Sequence, residues 1–180
     1  MNAVLCSRNE HKRLELERAL PGWRLEPLDA DLPDETGASY VENARLKARA
    51  GRAVRPEAWL LGEDSGLEVE ALGGEPGLRS ARWSERPIDD LLERLAEKSE
   101  RRARYVCELV CLAPGGGEYR GTGTLEGRIA GEPRGSEGFG YDPIFLPDGE
   151  TRTVAELGNA WKAENSHRAR AARALLRVLG

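Results

Sequence analysis

Lysine, histidine and phenylalanine are scarce in this sequence, and they are concentrated in a few places. Four lysines stand among the 27 residues that are lysine or arginine, which leaves 23 arginines. Three of the lysines, Lys12, Lys47 and Lys162, lie in compact polar clusters, and so do both histidines and both phenylalanines. An ammonium is a compact point charge, whereas a guanidinium is a planar fork. We therefore expect these clusters to be sites that need a compact cation.

The sequence also lacks long apolar runs and the cysteine spacing of metal sites. No run approaches the ~20 apolar residues of a membrane span, and no basic and apolar leader opens the chain. Cys107 and Cys111 fall in an apolar strand candidate, where cysteine packs as a small hydrophobe, and Cys6 has no CxxC partner. The net charge of −4 disfavours non-specific binding to nucleic acid. We expect a cytoplasmic protein with no membrane partner and no stable nucleic-acid partner.

Helix-like and strand-like segments interleave without an internal repeat, which predicts an α/β fold with a mixed sheet in a single domain, 1–180. The strand candidates are 3–6, 23–28, 58–63, 67–71 (a strand or a hairpin), 102–113 and 118–130. The helix candidates are 10–20, 88–98, a helix that Ser39 and Glu42 cap and that runs to residue 54, and a helix that Ser166 caps and that runs to residue 178.

The most informative stretch runs from the apolar Trp59–Leu61 segment into Glu63, Asp64, Ser65 and Gly66. We expect a buried strand that ends in a glycine turn, and acids at such a position are typical metal ligands and general bases. Asp64 is the best candidate for both roles, because Mg²⁺ prefers one or two carboxylates together with substrate phosphates, and a carboxylate can accept a proton from attacking water. Paired acids at a strand end are also typical of a solvated rim, and this alternative applies most to Glu63.

Two further segments carry polar groups that suit a metal-bound phosphate. The acidic loop 29–38 offers Asp34 and Glu35 as candidates for a second metal ligand. In the second helix, Asn43 and Lys47 are four residues apart and therefore share one face. Ordinary pairing at the surface is the alternative for that helix.

A short polar segment stands between the first strand and the first helix, where free backbone N–H groups and the helix dipole favour an anion. Its residues, all candidates for substrate binding, are Ser7, Arg8, Asn9, Glu10, His11 and Lys12. The hydroxyl and amide side chains can cap the helix or donate to a phosphate, and Lys12 supplies a point charge. Asn9 as a plain N-cap with Lys12 as a solvated surface residue is the alternative.

Two segments of the C-terminal half carry the remaining candidates. One is an aromatic loop that ends at Phe145, and its candidate residues are Phe139, Gly140, Tyr141 and Asp142. Aromatic faces beside an aspartate can stack on a base and accept from its N–H edge, and an aromatic cluster that closes the core is the alternative. The other segment carries Lys162, His167 and Arg168, which we expect to converge on one ligand, with His167 as a surface residue as the alternative.

Taken in order, these segments resemble the motifs of the inosine/xanthosine triphosphate pyrophosphatase family over essentially the whole chain. The matching segments are Ser7-x-Asn9-x-x-Lys12, Glu42-Asn43-Ala44-x-x-Lys47-Ala48, Glu63 to Leu67 with Ala71 to Gly77, Gly138 to Phe145, and Lys162-x4-His167-Arg168. The run over 63–77 is the most specific of them. Ser7 stands where threonine is common, which keeps the hydroxyl.

The resemblance implies an enzyme that hydrolyses deaminated purine nucleoside triphosphates to the monophosphate and pyrophosphate, by attack of water on the α-phosphoryl group and with Mg²⁺ as cofactor. It implies an elongated α/β structure of two lobes with the site in the cleft between them, usually as a homodimer. Asp64 is then the proton acceptor and a magnesium ligand. The residues that would contact the nucleotide are Ser7 to Lys12, Ser65, Phe139 to Asp142, Lys162, His167 and Arg168.

We expect His167, Arg168 and the backbone of 139–142 to select bases that carry a 6-oxo group, because a site that leaves a buried donor or acceptor unpaired rejects the wrong base strongly. Three alternatives stay open. A Maf-like nucleotide pyrophosphatase would prefer other substrates in a panel. A nucleotide sensor would bind without turnover, and an RNA-binding module would bind with strong salt dependence.

Overall fold

The computed structural model describes residues 1–180, in which six β-strands interleave with five α-helices. The strands are β1 (Asn2–Leu5), β2 (Arg24–Pro27), β3 (Trp59–Val69), β4 (Arg102–Leu112), β5 (Glu118–Ile129) and β6 (Phe145–Pro147). The helices are α1 (Glu10–Ala19), α2 (Tyr40–Val54), α3 (Pro87–Arg94), α4 (Val154–Asn165) and α5 (His167–Leu179). Short 3-10 turns occur at Glu70–Leu72, Gly77–Arg79 and Asp142–Ile144.

The six strands form one mixed sheet in the order β2-β1-β3-β4-β5-β6. Strand β1 pairs in parallel with β2 and β3, and the pairs from β3 to β6 are antiparallel. The helices flank this sheet, which confirms the α/β class and the mixed sheet. None of the five helices combines the length and the apolar composition that crossing a bilayer requires.

Glycines in the sheet let two helices approach its opposite faces. A Cβ on Gly62 would lie 1.9 Å from the backbone oxygen of Ala44 in α2, and a Cβ on Gly123 would lie 2.2 Å from that of His167 in α5. Gly62 lies in β3 and Gly123 in β5, and their missing side chains point to different faces of the sheet. The α2 face and the α5 face are therefore both closely packed.

Two hydrophobic clusters occupy the α5 face, and polar residues of β3 separate them. Leu61 belongs to a cluster of 14 buried residues that includes α1 and α5 side chains. Leu67 belongs to a second cluster of 12 buried residues, together with Phe145. Glu63 and Ser65 lie between these leucines on the same face, because side chains alternate along a strand. The break between the two cores is the point at which polar groups gather.

The expected glycine turn after Asp64 is wrong. Strand β3 continues through Gly66 to Val69, so the acids lie within a strand and not at its end. A Cβ on Gly66 would lie 2.3 Å from the backbone oxygen of Gly77 and 2.8 Å from Tyr40 Oη. Gly66 is needed for this close approach and not for a turn.

Three smaller expectations are corrected as well. Helix α3 ends at Arg94 rather than at Lys98, because the chain turns at once and the Lys98 N–H donates to the Leu95 carbonyl. Ser39 caps α2 as expected, but Glu42 Oε2 accepts from the N–H of Ala38 (2.7 Å) rather than from that of the cap residue. Strand β6 and helix α4 lie in segments for which no strand and no regular helix were expected.

The three cysteines are free and buried. Burial raises the pKa of the Cys6 thiol and of the Cys111 thiol to about 12. Such thiols stay protonated and pack as small hydrophobes, which confirms the expectation for the cysteines of β4.

Candidate active site

Asp64 lies on the α2 face of β3, and its carboxylate is held by two side chains of α2. Lys47 Nζ donates to Asp64 Oδ1 at 3.0 Å, and Asn43 Nδ2 donates to Asp64 Oδ2 at 3.1 Å. The two α2 residues share a helix face, as their spacing indicates. Burial raises the pKa of Asp64 above its ordinary value, and Lys47 lowers that pKa less than burial raises it. Asp64 is therefore a more basic carboxylate than an exposed aspartate.

Glu35 is the acid of the 29–38 loop that joins Asp64. Its Oε1 lies 2.5 Å from Lys47 Nζ, and its other oxygen accepts from Arg82. Burial alone would raise the pKa of Glu35, but Lys47 and Arg82 lower it below the ordinary value. Asp34 is exposed and makes no side-chain contact with this group, although it lines the same pocket. Of the two expected candidates for a second ligand, Glu35 is the one beside Asp64.

The oxygen donors around Lys47 fit Mg²⁺ as it binds with a phosphate substrate. Asp64 and Glu35 both contact the Lys47 ammonium, so the two carboxylates converge on one cation. No three His, Cys, Asp or Glu side chains form a ready metal cage. Mg²⁺ is commonly held by one or two carboxylates while phosphates and waters complete its octahedron. Two hard carboxylates without a cage match that manner of binding.

Glu63 lies on the α5 face, and its carboxylate is completely buried. Lys12 Nζ donates to Glu63 Oε2 at 2.7 Å, and Arg168 Nε donates to Glu63 Oε1 at 3.1 Å. Burial would raise the pKa of Glu63, but these two cations outweigh it and hold the pKa well below the ordinary value. The expectation of a solvated rim for Glu63 is therefore wrong, because β3 carries this residue into the interior.

Glu63 begins a series of buried ion pairs that crosses the break between the two cores. Glu15 Oε2 accepts from Arg168 Nη1 at 3.1 Å, and Glu15 Oε1 also contacts Lys162 Nζ. Lys162 Nζ in turn donates to Asp142 Oδ2 at 2.6 Å. The alternating cations and anions, named here the buried charge chain, are Lys12, Glu63, Arg168, Glu15, Lys162 and Asp142.

Glu15 was missed in the sequence, and it links the two C-terminal cations of the buried charge chain. It lies in α1 three residues after Lys12, and therefore on the same side of the helix. That spacing was the available signal. It was weak, because a glutamate between two leucines in a charged helix also suits the surface.

Phe139 is the aromatic residue of the 139–145 loop that meets the buried charge chain. Its ring stacks on His11 with centroids 5.1 Å apart, and Lys162 Nζ and Arg168 Cζ lie 4.7 Å and 5.2 Å from its centroid. Tyr141 and Phe145 instead belong to the second hydrophobic cluster. The expectation of a stacking face thus fits Phe139, and the alternative of core closure fits the other two aromatics.

The carboxylate of Asp142 is hydrogen-bonded to other groups of the protein. It accepts from the Phe139 N–H at 2.9 Å and from Tyr105 Oη at 3.3 Å, in addition to Lys162. Burial raises the pKa of Asp142 despite the nearby ammonium. Gly140, with φ of 62°, makes the left-handed turn within this loop. Asp142 therefore fixes the loop, and the expected contact with a base edge competes with these bonds.

His167 is buried, which corrects the surface alternative. Its ring stacks on Tyr105 with centroids 4.6 Å apart, and its Nδ1 has no hydrogen-bond partner. Burial and the neighbouring Arg168 hold the pKa of His167 well below the ordinary value, so the imidazole is neutral. A buried polar atom without a partner is costly unless a ligand satisfies it.

Arg168 keeps part of its donor capacity. Three of its N–H groups bond Glu63, Glu15 and Ser65, the last through Nη2 to Ser65 Oγ at 2.7 Å. A guanidinium has five N–H donors, so two remain.

The 7–12 segment is divided between the site and the surface. Asn9 Oδ1 accepts from the N–H of Lys12 at 3.2 Å, which confirms it as the N-cap, and Ser7 Oγ accepts from the N–H of Asn9 at 3.2 Å. Arg8 lies at the rim of the pocket that Glu35 and Lys47 line, where it pairs with Asp31. The exposed Glu10 pairs with Arg13 instead, and it lines neither of the two pockets at the site. Glu10 is the first residue of α1, and its favourable interaction with the helix dipole explains an acid at that position.

Two adjoining pockets meet at Asn9 and Lys12. One, of about 250 Å³, is lined on the α5 side by Ser65, Tyr105, Phe139, Tyr141, His167 and Arg168. The other, of about 500 Å³, is lined by Ser7, Arg8, Asp34, Glu35, Lys47 and Arg82. An aromatic pocket that opens into a pocket of acids and basic residues has room for a nucleoside beside a chain of phosphates.

The comparisons with known proteins agree with this class of site. The model of the Ham1 family matches residues 3–178. The chain therefore belongs to the Ham1 family, which confirms the resemblance drawn from the motifs. It is 47% identical over 180 residues to the dITP/XTP pyrophosphatase of Deinococcus deserti, with 96% of this chain and 86% of the relative covered. It is 48% identical over 187 residues to that of Symbiobacterium thermophilum, with 97% and 93% covered.

Solved structures share the fold over the full length. The Ham1 protein of Staphylococcus aureus superposes with a TM-score of 0.87 at 35% identity, and covers 99% of this chain and 98% of its own. A HAM1 protein from Coxiella burnetii gives a TM-score of 0.88 at 35% identity with the same coverage. These matches confirm the α/β fold with helices flanking a six-stranded mixed sheet.

Proposed function

We propose that this protein hydrolyses deaminated purine nucleoside triphosphates, namely ITP, dITP and XTP, to the nucleoside monophosphate and pyrophosphate. The arrangement of Asp64 carries the proposal. Asp64 is a basic, buried carboxylate that Lys47 and Asn43 hold in place beside Glu35. The pocket that Glu35 lines adjoins the pocket that contains the ring of Phe139. Relatives at 47% and 48% identity that are named dITP/XTP pyrophosphatases support this substrate class. Membership of the Ham1 family disfavours the Maf-like alternative.

Asp64 acts as the general base in this mechanism. Water attacks the α-phosphorus, its proton passes to the Asp64 carboxylate, the new P–O bond forms, and the bond to the bridging oxygen breaks as pyrophosphate leaves. The raised pKa of Asp64 favours this proton transfer, because an effective base has a pKa closer to the working pH. Lys47 and Asn43 orient the carboxylate through bonds of 3.0 and 3.1 Å.

The proposed cofactor is Mg²⁺, with Asp64 and Glu35 as its protein ligands. When bound, the ion polarises phosphoryl oxygens and neutralises charge in the transition state. Lys12 and Lys47 add positive charge next to the phosphates, and electrostatic stabilisation of this kind is the largest part of most phosphoryl transfers. Isothermal titration of Mg²⁺ with a non-hydrolysable nucleotide present tests the ligands. We expect Glu35→Gln to weaken Mg²⁺ binding, while the exposed Asp34→Asn leaves it unchanged; the reverse order would contradict the assignment.

Selection of the base is proposed to come from the small pocket. Phe139 offers a stacking face, and the neutral His167 and the two spare N–H groups of Arg168 offer hydrogen bonds to a 6-oxo purine. An adenine would place an exocyclic amine where these groups need an acceptor. We expect Arg168→Ala to bring the turnover of ATP and ITP closer together. Equal turnover of both by the wild type, or unchanged selectivity in the variant, would contradict this role.

A substrate panel tests the reaction itself. Purified protein is incubated with dITP, ITP, XTP, dATP and dGTP plus Mg²⁺, and pyrophosphate is resolved from orthophosphate. We expect pyrophosphate from the inosine and xanthosine substrates alone, and a rate about 10²–10⁴-fold lower with Asp64→Asn. Orthophosphate would mean cleavage at the γ-phosphate, and dITP binding without any product would support the sensor alternative. The homodimer, the cytoplasmic location and the lack of a nucleic-acid partner stay predictions.

A further inference from the structure

The ring of Phe139 is held by few contacts. Phe139 lies between Gly138 and Gly140, whose φ angles of 81° and 62° belong to the left-handed region. Its side chain belongs to none of the hydrophobic core clusters. The Asp142 carboxylate accepts from the backbone N–H of Phe139 and leaves the ring free. The orientation of the ring is therefore not set by packing in the core.

His11 makes the aromatic contact with that ring. The two rings are stacked, with centroids 5.1 Å apart and planes inclined by 24°. Stacked rings at this separation attract each other, so turning the Phe139 ring away would lose a favourable contact. A nucleobase cannot lie between two rings that already touch. A base that stacks on Phe139 must therefore meet the part of the ring that His11 does not cover.

Phe139 separates two pockets, and His11 lines only one of them. Phe139 lines the small pocket together with His167 and Arg168. It also lines a cavity of about 300 Å³, named here the outer pocket, together with His11 and Glu137. Because His11 is absent from the lining of the small pocket, it contacts the ring from the side away from the proposed base site.

Helix α1 places His11 against Phe139. An N-terminal cap holds the first turn of this helix, in which His11 lies. Glu15 follows four residues later and therefore shares the helix face of His11. Glu15 contacts Lys162 and Arg168, the two cations that lie close to the ring of Phe139. One face of α1 thus holds the ring directly and holds both neighbouring cations.

We propose that His11 is a positioning residue for the base: its imidazole holds the Phe139 ring in the orientation that receives a 6-oxo purine, and it does not itself touch the nucleotide. This inference rests on the proposed function. Position 11 is unspecified in the Ser7-x-Asn9-x-x-Lys12 motif, so this support is a feature of this chain's own sequence. An imidazole suits the exposed position, because its flat body packs on Phe139 while its polar edge meets water.

Replacement of His11 in the full chain separates positioning from direct contact. We expect His11→Ala to raise KM for ITP about 3–10-fold, the usual effect of losing one aromatic pair, with kcat within about twofold of the wild type. His11→Phe keeps a flat ring without polar atoms, and we expect a KM close to that of the wild type. His11→Gln keeps polar atoms without a ring, and we expect the same increase in KM as in His11→Ala.

Leu14→Ala is the matched control, because Leu14 is exposed on the next turn of α1, lines the outer pocket and has no ring. We expect its KM to stay unchanged, and circular dichroism checks that each variant is folded. An unchanged KM in His11→Ala, or rescue by His11→Gln but not by His11→Phe, would overturn the proposal. A wild type that releases no pyrophosphate from ITP would contradict the proposed function instead.

NMR of the protein without nucleotide tests the stack independently of any turnover. The chain has two histidines, and each stacks on a different ring, His11 on Phe139 and His167 on Tyr105. We expect Phe139→Leu to shift the imidazole C–H resonances of His11, because the ring current of Phe139 is lost, and to shift those of His167 far less. Resonances of His11 that stay in place would overturn the proposal, whatever the enzyme hydrolyses.

Discussion

Glu63 and Asp64 are consecutive acids of one buried strand, yet their carboxyl groups meet different surroundings on the two faces of the sheet. Glu63 contacts two cations, Lys12 and the Arg168 that it shares with Glu15, and its pKa is lowered. Asp64 shares the single ammonium of Lys47 with Glu35, and its pKa is raised. Burial is common to both acids, so the number of cations for each acid decides the direction of the shift. One carboxylate is a fixed structural anion, and the other is a more basic carboxylate that suits the proposed role of general base.

Removing the base should give the largest effect. We expect Asp64→Asn to lower kcat for dITP by about 10²–10⁴-fold, the usual range for a general base, while the protein remains folded. Pyrophosphate release under saturating substrate and Mg²⁺ measures it. The matched control is Asp89→Asn, an exposed aspartate of α3. A kcat within a few-fold of the wild type would mean that a group other than Asp64 accepts the proton from water.

Removing the structural anion should affect stability instead. Glu63→Gln leaves Lys12 without an anion and Arg168 with Glu15 alone, and breaking a buried ion pair costs about 3–5 kcal/mol. The free energy of unfolding from urea titration measures this loss. Glu118→Gln breaks a partly exposed pair with Arg45, for which we expect about 0–1 kcal/mol. Equal losses in the two variants would mean that Glu63 is not an essential counter-charge.

Glu15→Gln should have an intermediate effect, because each of its cations keeps another anion. Lys162 retains Asp142 and Arg168 retains Glu63, so we expect a loss of about 1–3 kcal/mol in the free energy of unfolding. If Glu15 positions Arg168 and Lys162 beneath Phe139, the ratio of kcat/KM for ITP over ATP also falls. An unchanged ratio together with lost stability would limit Glu15 to a structural role.

The two acids should also respond to pH in opposite directions, and this is the smallest effect. The pKa of Glu63 is lowered below 4.5 on folding, so its stabilisation is present above that pH and is lost on acidification. The pKa of Asp64 is raised above 3.8, so the folded state gains relative stability as pH falls through it. We expect the loss caused by Glu63→Gln to stay constant from neutral pH to about 4.5 and to shrink only below that pH. Asp64→Asn should become less stable relative to the wild type as the pH falls toward 3.8.

Much of the fold follows from local patterns in the sequence. The periodicity of apolar residues predicted the long strands. Ser39 and Ser166 were predicted as helix N-caps, and their side chains accept the expected N–H bonds. The spacing of Asn43 and Lys47 predicted their shared face. Strand β6 has three residues, and α4 contains a non-helical glycine, Gly158. Strand β6 is too short to give a recognisable pattern, and the helical pattern of α4 is interrupted at Gly158, although Thr153 and Glu156 form a capping box at its start.

The errors at the site have one physical origin, which is contact between segments distant in sequence. Gly66 indicated a turn, but the reason for a glycine there is the approach of Gly77 and Tyr40. Glu63 was expected at a solvated rim, but α1 and α5 bring cations to it. One of these cations, Arg168, is 105 residues away in the sequence. Glu15 had no local motif, since its partners are on α4 and α5. Ion pairs between distant helices do not follow from any single segment.

The contrast between the two acids is tested most directly by titrating their side-chain carboxyl carbons by NMR in the folded protein. We expect Asp64 to titrate above 3.8 and Glu63 below 4.5, with the Asp64 midpoint moving down when Glu35→Gln leaves Lys47 to Asp64 alone. An Asp64 midpoint below its ordinary value, or two acids that shift in the same direction, would contradict the division between base and structural anion.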